Sequence, residues 1–281
     1  MTPTPGVTLP ATLYALGAIA LWSLLAALGV ALAHVPPFLL TGIGLIVGSI
    51  PSWPLARQWR VSWTTLALGV YGLFGFHFLL FIALRSAPPV AANLVNYLWP
   101  LLIVVLAPMF LRELRWSTVH AGAALVGFSG AALAIAGDRG VPGELAWGYL
   151  AALGSAFIWA SYSLLCRRVA HFPTAAIGLF GLVSGVLSLL CHAALEPPVT
   201  LSMRDAAWLG TLGLGPLGAA FYLWDAALKR GDPRRIGVLS YLTPLASTAL
   251  LVATSGRTFS AAMAVAALLI VGAAAVGLAA R

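Results

Sequence analysis

The sequence predicts an all-α integral membrane protein, with ten transmembrane helices arranged as two inverted five-helix repeats around a central cavity. Three observations predict it: a composition suited to lipid, ten apolar segments of spanning length, and an internal repeat that pairs the two halves of the chain.

Of 281 residues, 61% are hydrophobic and 8% charged. A soluble globular domain carries about 25% charged residues and under half apolar ones, so this chain is built for a bilayer. A hydrocarbon core about 30 Å thick needs roughly 20 apolar residues per helix. Charged or Pro-rich breaks divide the chain at that interval, giving spans at 10–33, 36–55, 64–85, 88–111, 117–137, 145–169, 174–193, 205–229, 233–254 and 260–280. The first has no basic residue before it and is about twice as long as a signal-peptide apolar core, so it is expected to remain as helix 1.

Lys and Arg set the orientation, because basic loops resist translocation. With the N-terminus inside, the inner side holds Arg57, Arg60, Arg112, Arg115, Arg167, Arg168, Lys229, Arg230, Arg234, Arg235 and Arg281. The outer side holds Arg85, Arg139, Arg204 and Arg257. Eleven against four places both termini in the cytoplasm. The net charge of +8 has the same origin. Its residues sit in short loops at helix ends, and no soluble stretch is long enough to read nucleic acid, so no nucleic-acid partner is expected. Cys166 and Cys191 fall near opposite membrane faces, too far apart for a disulfide, and are expected to pack as small apolar residues.

The repeat is written in the sequence. A shift of 137 lays Gly17 on Gly154, Trp22 on Trp159, His34 on His171 and Pro36 on Pro173. A shift of 144 lays Ala83-Leu84 on Ala227-Leu228, Arg85 on Lys229, Pro89 on Pro233, Tyr97-Leu98 on Tyr241-Leu242 and Pro100-Leu101 on Pro244-Leu245. The seven extra residues fit in the longer loop around Glu196 to Arg204. The halves are read as residues 1–140 and 141–281. Each has five helices, an odd number, so they enter the membrane from opposite sides. Inverted halves are the arrangement in which alternating access follows naturally, with a substrate site near the midplane.

The paired halves, the Ala-Leu-x5-Pro leading into spans 4 and 9, the Tyr-Leu-x-Pro-Leu within them, and the Arg112-Glu113 turn before a Gly-rich helix resemble the EamA-type branch of the drug/metabolite transporter (DMT) superfamily. The resemblance covers essentially the whole chain and is strongest to the YddG-type aromatic amino acid exporters. It implies ten helices around a central cavity, in a bacterial inner membrane. Family halves commonly carry a Glu before the last helix. Glu113 supplies one, but Arg257 stands near the matching point of the second half, which leaves no symmetric pair of acids.

Span 4 carries Asn93, Asn96, Tyr97 and Pro100 on one helical stripe, and span 9 answers with Gly237, Ser240, Tyr241 and Pro244. Polar groups in hydrocarbon need partners, so both stripes should face the interior, either lining a cavity or bonding between helices. Pro100 and Pro244 are expected to kink their helices, as hinges or as static bends. Span 3 presents Phe74, His77, Phe78 and Phe81, span 8 presents Phe221, Tyr222 and Asp225, and spans 1 and 6 add Trp22 and Trp159. Such rings are core filler or a surface for an amphiphilic aromatic solute. His77 is the one His deep within a span, hence a functional candidate or a neutral interhelical bond. Asp225 is expected to pair with Lys229 one turn away.

The substrate-binding candidates are therefore Trp22, Phe74, His77, Phe78, Phe81, Asn93, Asn96, Tyr97, Trp159, Tyr222, Ser240 and Tyr241, with Pro100 and Pro244 as hinges. No phosphate loop, His-x3-His or Cys-x2-Cys occurs, so no cofactor, metal or catalytic constellation is expected. The reading is a monomeric secondary transporter or facilitator whose partners are the bilayer and a small molecule. The resemblance implies export of aromatic and other apolar amino acids. The alternatives are export of nucleosides or cationic aromatic drugs and, from another class, an intramembrane lipid-modifying enzyme, which would need His or acids grouped at one interface.

Overall fold

Prolines account for where several helices begin. The computed structural model of the chain describes residues 9–136, 147–255 and 261–280. Arg139, Arg257, Arg281 and the expected 140/141 boundary lie outside them. Pro37, Pro89 and Pro233 each occupy the first turn of a helix, where the missing N–H costs nothing because that group has no intrahelical acceptor.

The first half runs α1 (Leu9–Ser23), α2 (Leu25–Ala31), α3 (Pro37–Ser49), α4 (Trp63–Val70), α5 (Phe76–Ser86), α6 (Pro89–Asn96), α7 (Trp99–Phe110) and α8 (Thr118–Ala136). There follow α9 (Gly148–Leu165), α10 (Ile177–Leu195), α11 (Met203–Leu214), α12 (Ala220–Arg230), α13 (Pro233–Leu239), α14 (Leu242–Ser255) and α15 (Ala261–Ala279). A 3₁₀ stretch, Ile50–Trp59, extends α3, and π turns at Tyr71–Gly75 and Gly215–Ala219 join α4 to α5 and α11 to α12.

Among the described residues there is no strand. Nine helices or run-on helix pairs among them are long and apolar enough to cross a membrane: Leu9–Ala31, Pro37–Trp59, Trp63–Ser86, Pro89–Phe110, Thr118–Ile135, Gly148–Leu165, Thr174–Leu195, Met203–Arg230 and Ala261–Ala279. The segment read from sequence as the ninth span, 233–254, is helical in two pieces, α13 and α14, with turns at Ser240 and Tyr241 between them.

The interruptions share one spacing. The two π turns, the starts of α5 and α12, and the starts of α6 and α13 are each 144 residues apart. The span holding α6 and α7 breaks at Tyr97–Leu98, immediately before Pro100. There the backbone tightens from Tyr97 N–H on Asn93 O to Leu98 N–H on Val95 O, which spares the missing proline donor. The same happens at Tyr241, whose N–H bonds Val238 O before Pro244.

Packing pairs α8 with α15, α3 with α10, α1 with α12, α5 with α9, and α7 with both α9 and α13. α3 also packs on α11 and the second π turn, where glycine allows a close backbone approach. A Cβ on Gly48 of α3 would lie 2.7 Å from Leu217 O, 2.8 Å from Gly213 O and 2.8 Å from Gly218 Cα. All three are backbone atoms of α11 and the second π turn, which cannot swing aside. Cys166 and Cys191 are free thiols, and Asp225 pairs with Lys229 at 2.7 Å.

Gly48→Ala should therefore lower the unfolding temperature in detergent by several degrees, the overpacking costing about 1–3 kcal/mol. Gly122→Ala on α8, where a Cβ meets nothing within 4 Å, should not. Equal melting temperatures for the two variants would refute the close-packing account.

Candidate functional site

A cavity of about 870 Å³ opens at the end of the bundle where α2 turns into α3 and α5 into α6. α5 lines one wall with His77, Leu80, Phe81 and Leu84, residues at helical spacing on one face. α6 supplies Asn93 and Asn96 opposite, with Tyr97 at the break. α14 adds Thr243 and Ser247, again one turn apart.

The floor is aromatic. Trp22, Trp99, Trp159 and Phe221 line it, and Trp224 packs below. Trp22 sits 5.9 Å from Trp159, 6.4 Å from Trp99 and 5.2 Å from Trp224, centroid to centroid, mostly edge to face. That geometry sets positive ring edges against negative faces, so the layer is held as well as filled.

Both π turns feed this layer. His77 Nδ1 lies 2.6 Å from Leu73 O in the first turn, and a carbonyl can only accept, so the proton is on Nδ1. Trp22 Nε1 donates to Pro216 O in the second, at 3.1 Å. A π turn shifts the backbone bonding by one residue, and here carbonyls within it serve side chains that face the cavity. Asn96 Oδ1 accepts from Ser155 Oγ at 2.8 Å, which fixes α6 against α9.

Of the twelve residues expected to bind substrate, the structure brings seven to the lining: Trp22, His77, Phe81, Asn93, Asn96, Tyr97 and Trp159. The other five lie outside the lining. Phe74 and Phe78 occupy the flank of α5 that meets α3: Phe78 is 5.6 Å from Phe74 and 5.6 Å from Phe38. Tyr222 is one residue, or 100° of helix, past Phe221, and its hydroxyl donates to Gly48 O at 3.2 Å. Ser240 bonds its own helix at Ile236 O, and Tyr241 has no exposed surface. The Tyr241 ring lies where a Cβ on Gly127 of α8 would be, 2.6 Å away.

The stripe through Ser240, Tyr241 and Pro244 presumes one continuous helix, whereas the chain breaks at Ser240–Tyr241, and it is Thr243 and Ser247 of α14 that reach the lining. Sequence reasoning also passed over Phe76, Trp99, Thr243, Ser247 and Arg85 as lining residues. The repeat offered a signal: a shift of 144 carries His77 to Phe221, not Tyr222, and Trp99 to Thr243. Pro100 and Pro244 occupy the second and third positions of α7 and α14, directly after the breaks.

At the end opposite the mouth, the loops are clasped. Arg234 holds Asp232 through Nη2 at 2.6 Å and donates Nη1 to Arg115 O at 2.8 Å. Arg167 reaches Gly231 O at 3.2 Å. Burial pushes the Asp232 carboxyl up, but the hydrogen bonds and charge of Arg234 more than offset this and hold it below the ordinary carboxylate range. A depressed carboxyl stabilises the fold above its unfolded value and loses that contribution as pH falls through the folded one. The melting-temperature difference between wild type and Asp232→Asn should thus be full at pH 6 and shrink below about pH 4. A difference independent of pH would exclude this ion pair as its source.

The EamA-like transporter family model matches residues 9–136 and 146–278. The chain is 44% identical over 276 residues to the aromatic amino acid exporter YddG of Ancylobacter novellus, covering 95% of this chain and 96% of that protein. It is 31% identical over 172 residues to YddG of Salmonella typhimurium, 57% of each chain. A solved crystal structure superposes with a TM-score of 0.89 at 43% identity, covering 95% of both chains.

Proposed function

Because the chain belongs to the EamA-like transporter family, we propose that its cavity is the path by which small amphiphilic metabolites, aromatic and other apolar amino acids foremost, leave the cell. The observation that carries this is the aromatic floor of Trp22, Trp99, Trp159 and Phe221 beneath a wall of amides and hydroxyls. Flat apolar faces accept the side chain, while Asn93, Asn96, Tyr97, Ser247 and the open nitrogen of His77 serve the polar end. The name of the Ancylobacter relative points the same way.

The architecture proposed is ten spans in two inverted repeats, residues 1–140 and 141–281, acting as a monomer in a bacterial inner membrane. The shared 144-residue spacing of the helix interruptions supports it. So does the packing: α3–α10 and α8–α15 pair each outer helix with its counterpart, and α1 on α12 mirrors α9 on α5. Exchange of the halves maps this pattern onto itself, as a two-fold axis in the membrane plane requires. With both termini inside, the mouth faces outward. Pro100 and Pro244 then stand at matching hinges where α7 and α14 change direction.

Saturable flux of labelled L-phenylalanine or L-tryptophan in proteoliposomes is the direct test. Trp159→Ala should raise KM about threefold to tenfold, the worth of one ring–ring contact. Tyr222→Phe, outside the lining, should leave KM unchanged. Absence of any saturable flux would sink the transport reading, and equal effects of both variants would sink this cavity as the site. In a cysteine-free background, Ala33→Cys at the mouth should label with an impermeant maleimide added to intact cells, and Arg57→Cys only after permeabilisation; the reverse pattern would invert the topology.

A further inference from the structure

Among the described lining residues the one charged side chain is Arg85, at the mouth. It stands two turns beyond His77 on α5, about 12 Å along the helix at 1.5 Å per residue. It is held from behind. Its Nη2 donates to Glu196 Oε1 at 2.7 Å, and the Glu196 side chain has no exposed surface. That carboxylate also accepts the backbone N–H groups of Phe38 at 3.0 Å and Leu39 at 3.2 Å, where α3 begins, and His192 Nδ1 at 2.9 Å. A carboxylate anchored by three other donors cannot follow a moving partner, so it fixes where the guanidinium points.

The bond to Glu196 uses one of the five N–H donors of Arg85, and the Arg85 side chain remains 46% exposed. Glu196 cancels the charge at long range, yet it takes only one tip of the planar fork, and the remaining donors match a carboxylate at short range. Phe81 is one turn deeper on the same helix, with Leu84 beside it, which places apolar surface where the rest of such a ligand would lie. No Asp or Glu is among the described lining residues, so an ammonium group finds no ionic partner there.

We propose that Arg85, aimed by Glu196, is a carboxylate-binding station in the mouth of the cavity, and that it reads the carboxylate of its ligand and not the ammonium. Arylalkanoic acids that lack an amino group are then ligands as well as amino acids. The inference rests on the cavity being a solute path, but its test does not need transport.

Equilibrium binding of 3-phenylpropionate and of phenethylamine to the purified full chain is compared, alongside proteoliposome flux of L-phenylalanine. The acid should bind at least about tenfold more tightly than the amine, the worth of one charge-assisted hydrogen-bonded pair. Arg85→Gln should abolish that preference by weakening the acid alone, Arg85→Lys should keep part of it, and Glu196→Gln should weaken the acid several-fold without touching the amine. Equal binding of acid and amine to the wild type would overturn the proposal. So would an Arg85→Gln variant that weakens both alike, because a purely structural tie at the mouth would do that. Loss of L-phenylalanine flux with the acid preference intact would defeat the transport reading while supporting the carboxylate station.

Discussion

In hydrocarbon no water stands ready to satisfy a broken helix, and every backbone interruption must find its partners within the protein or a wet cavity. Among the described residues, helices are interrupted by π turns at Tyr71–Gly75 and Gly215–Ala219 and by breaks at Tyr97–Leu98 and Ser240–Tyr241, besides a short break at Leu24. The cavity lies among them. Leu73 O is taken by His77 and Pro216 O by Trp22, so carbonyls inside the π turns orient two lining rings. The irregularities that lipid would penalise are thus the ones that build the floor.

Between floor and mouth the polarity is graded. The indole layer at the bottom is packed edge to face, the amides and hydroxyls of α6 and α14 stand above it, and the guanidinium of Arg85 stands at the rim. An aromatic solute with one polar end can keep its ring on apolar surface at the bottom and its polar end turned upward. Glu196 keeps the rim cation from folding down onto the rings by tying it to the start of α3.

Much of this was legible in the sequence because the same spacing is written in it twice. The shift of 144 between Pro89 and Pro233 recurs as the spacing of helix starts and π turns, which no composition average could supply. What the sequence concealed was helical phase. α6 runs eight residues before its break and α13 seven, so a stripe counted as one continuous helix misplaces residues at the break itself. Tyr97 meets the cavity while its counterpart Tyr241 is sealed against Gly127. Glu196 escaped notice for another reason. It sits at the start of what reads as an inserted loop, and nothing local reveals that its partners are 111 and 158 residues away, at Arg85 and Phe38.

The two ends of the bundle are held by different kinds of contact, and this bears on how the cavity can change sides. At the mouth, Glu196 joins the end of α10 to α3 and α5, and α3 packs along α10. At the far end, Arg234 to Arg115 O and Arg167 to Gly231 O join the loop after α7 and the end of α9 to the loop before α13. These are the segments that flank the two broken helices. If the proposed transport opens the cavity toward that end, α7 and α13, which pack on each other, would separate below the tryptophan layer and the clasp would part, while the mouth tie need not. The breaks at Tyr97–Leu98 and Ser240–Tyr241 are where the proposed hinges at Pro100 and Pro244 would let one end of each central helix move without carrying the other.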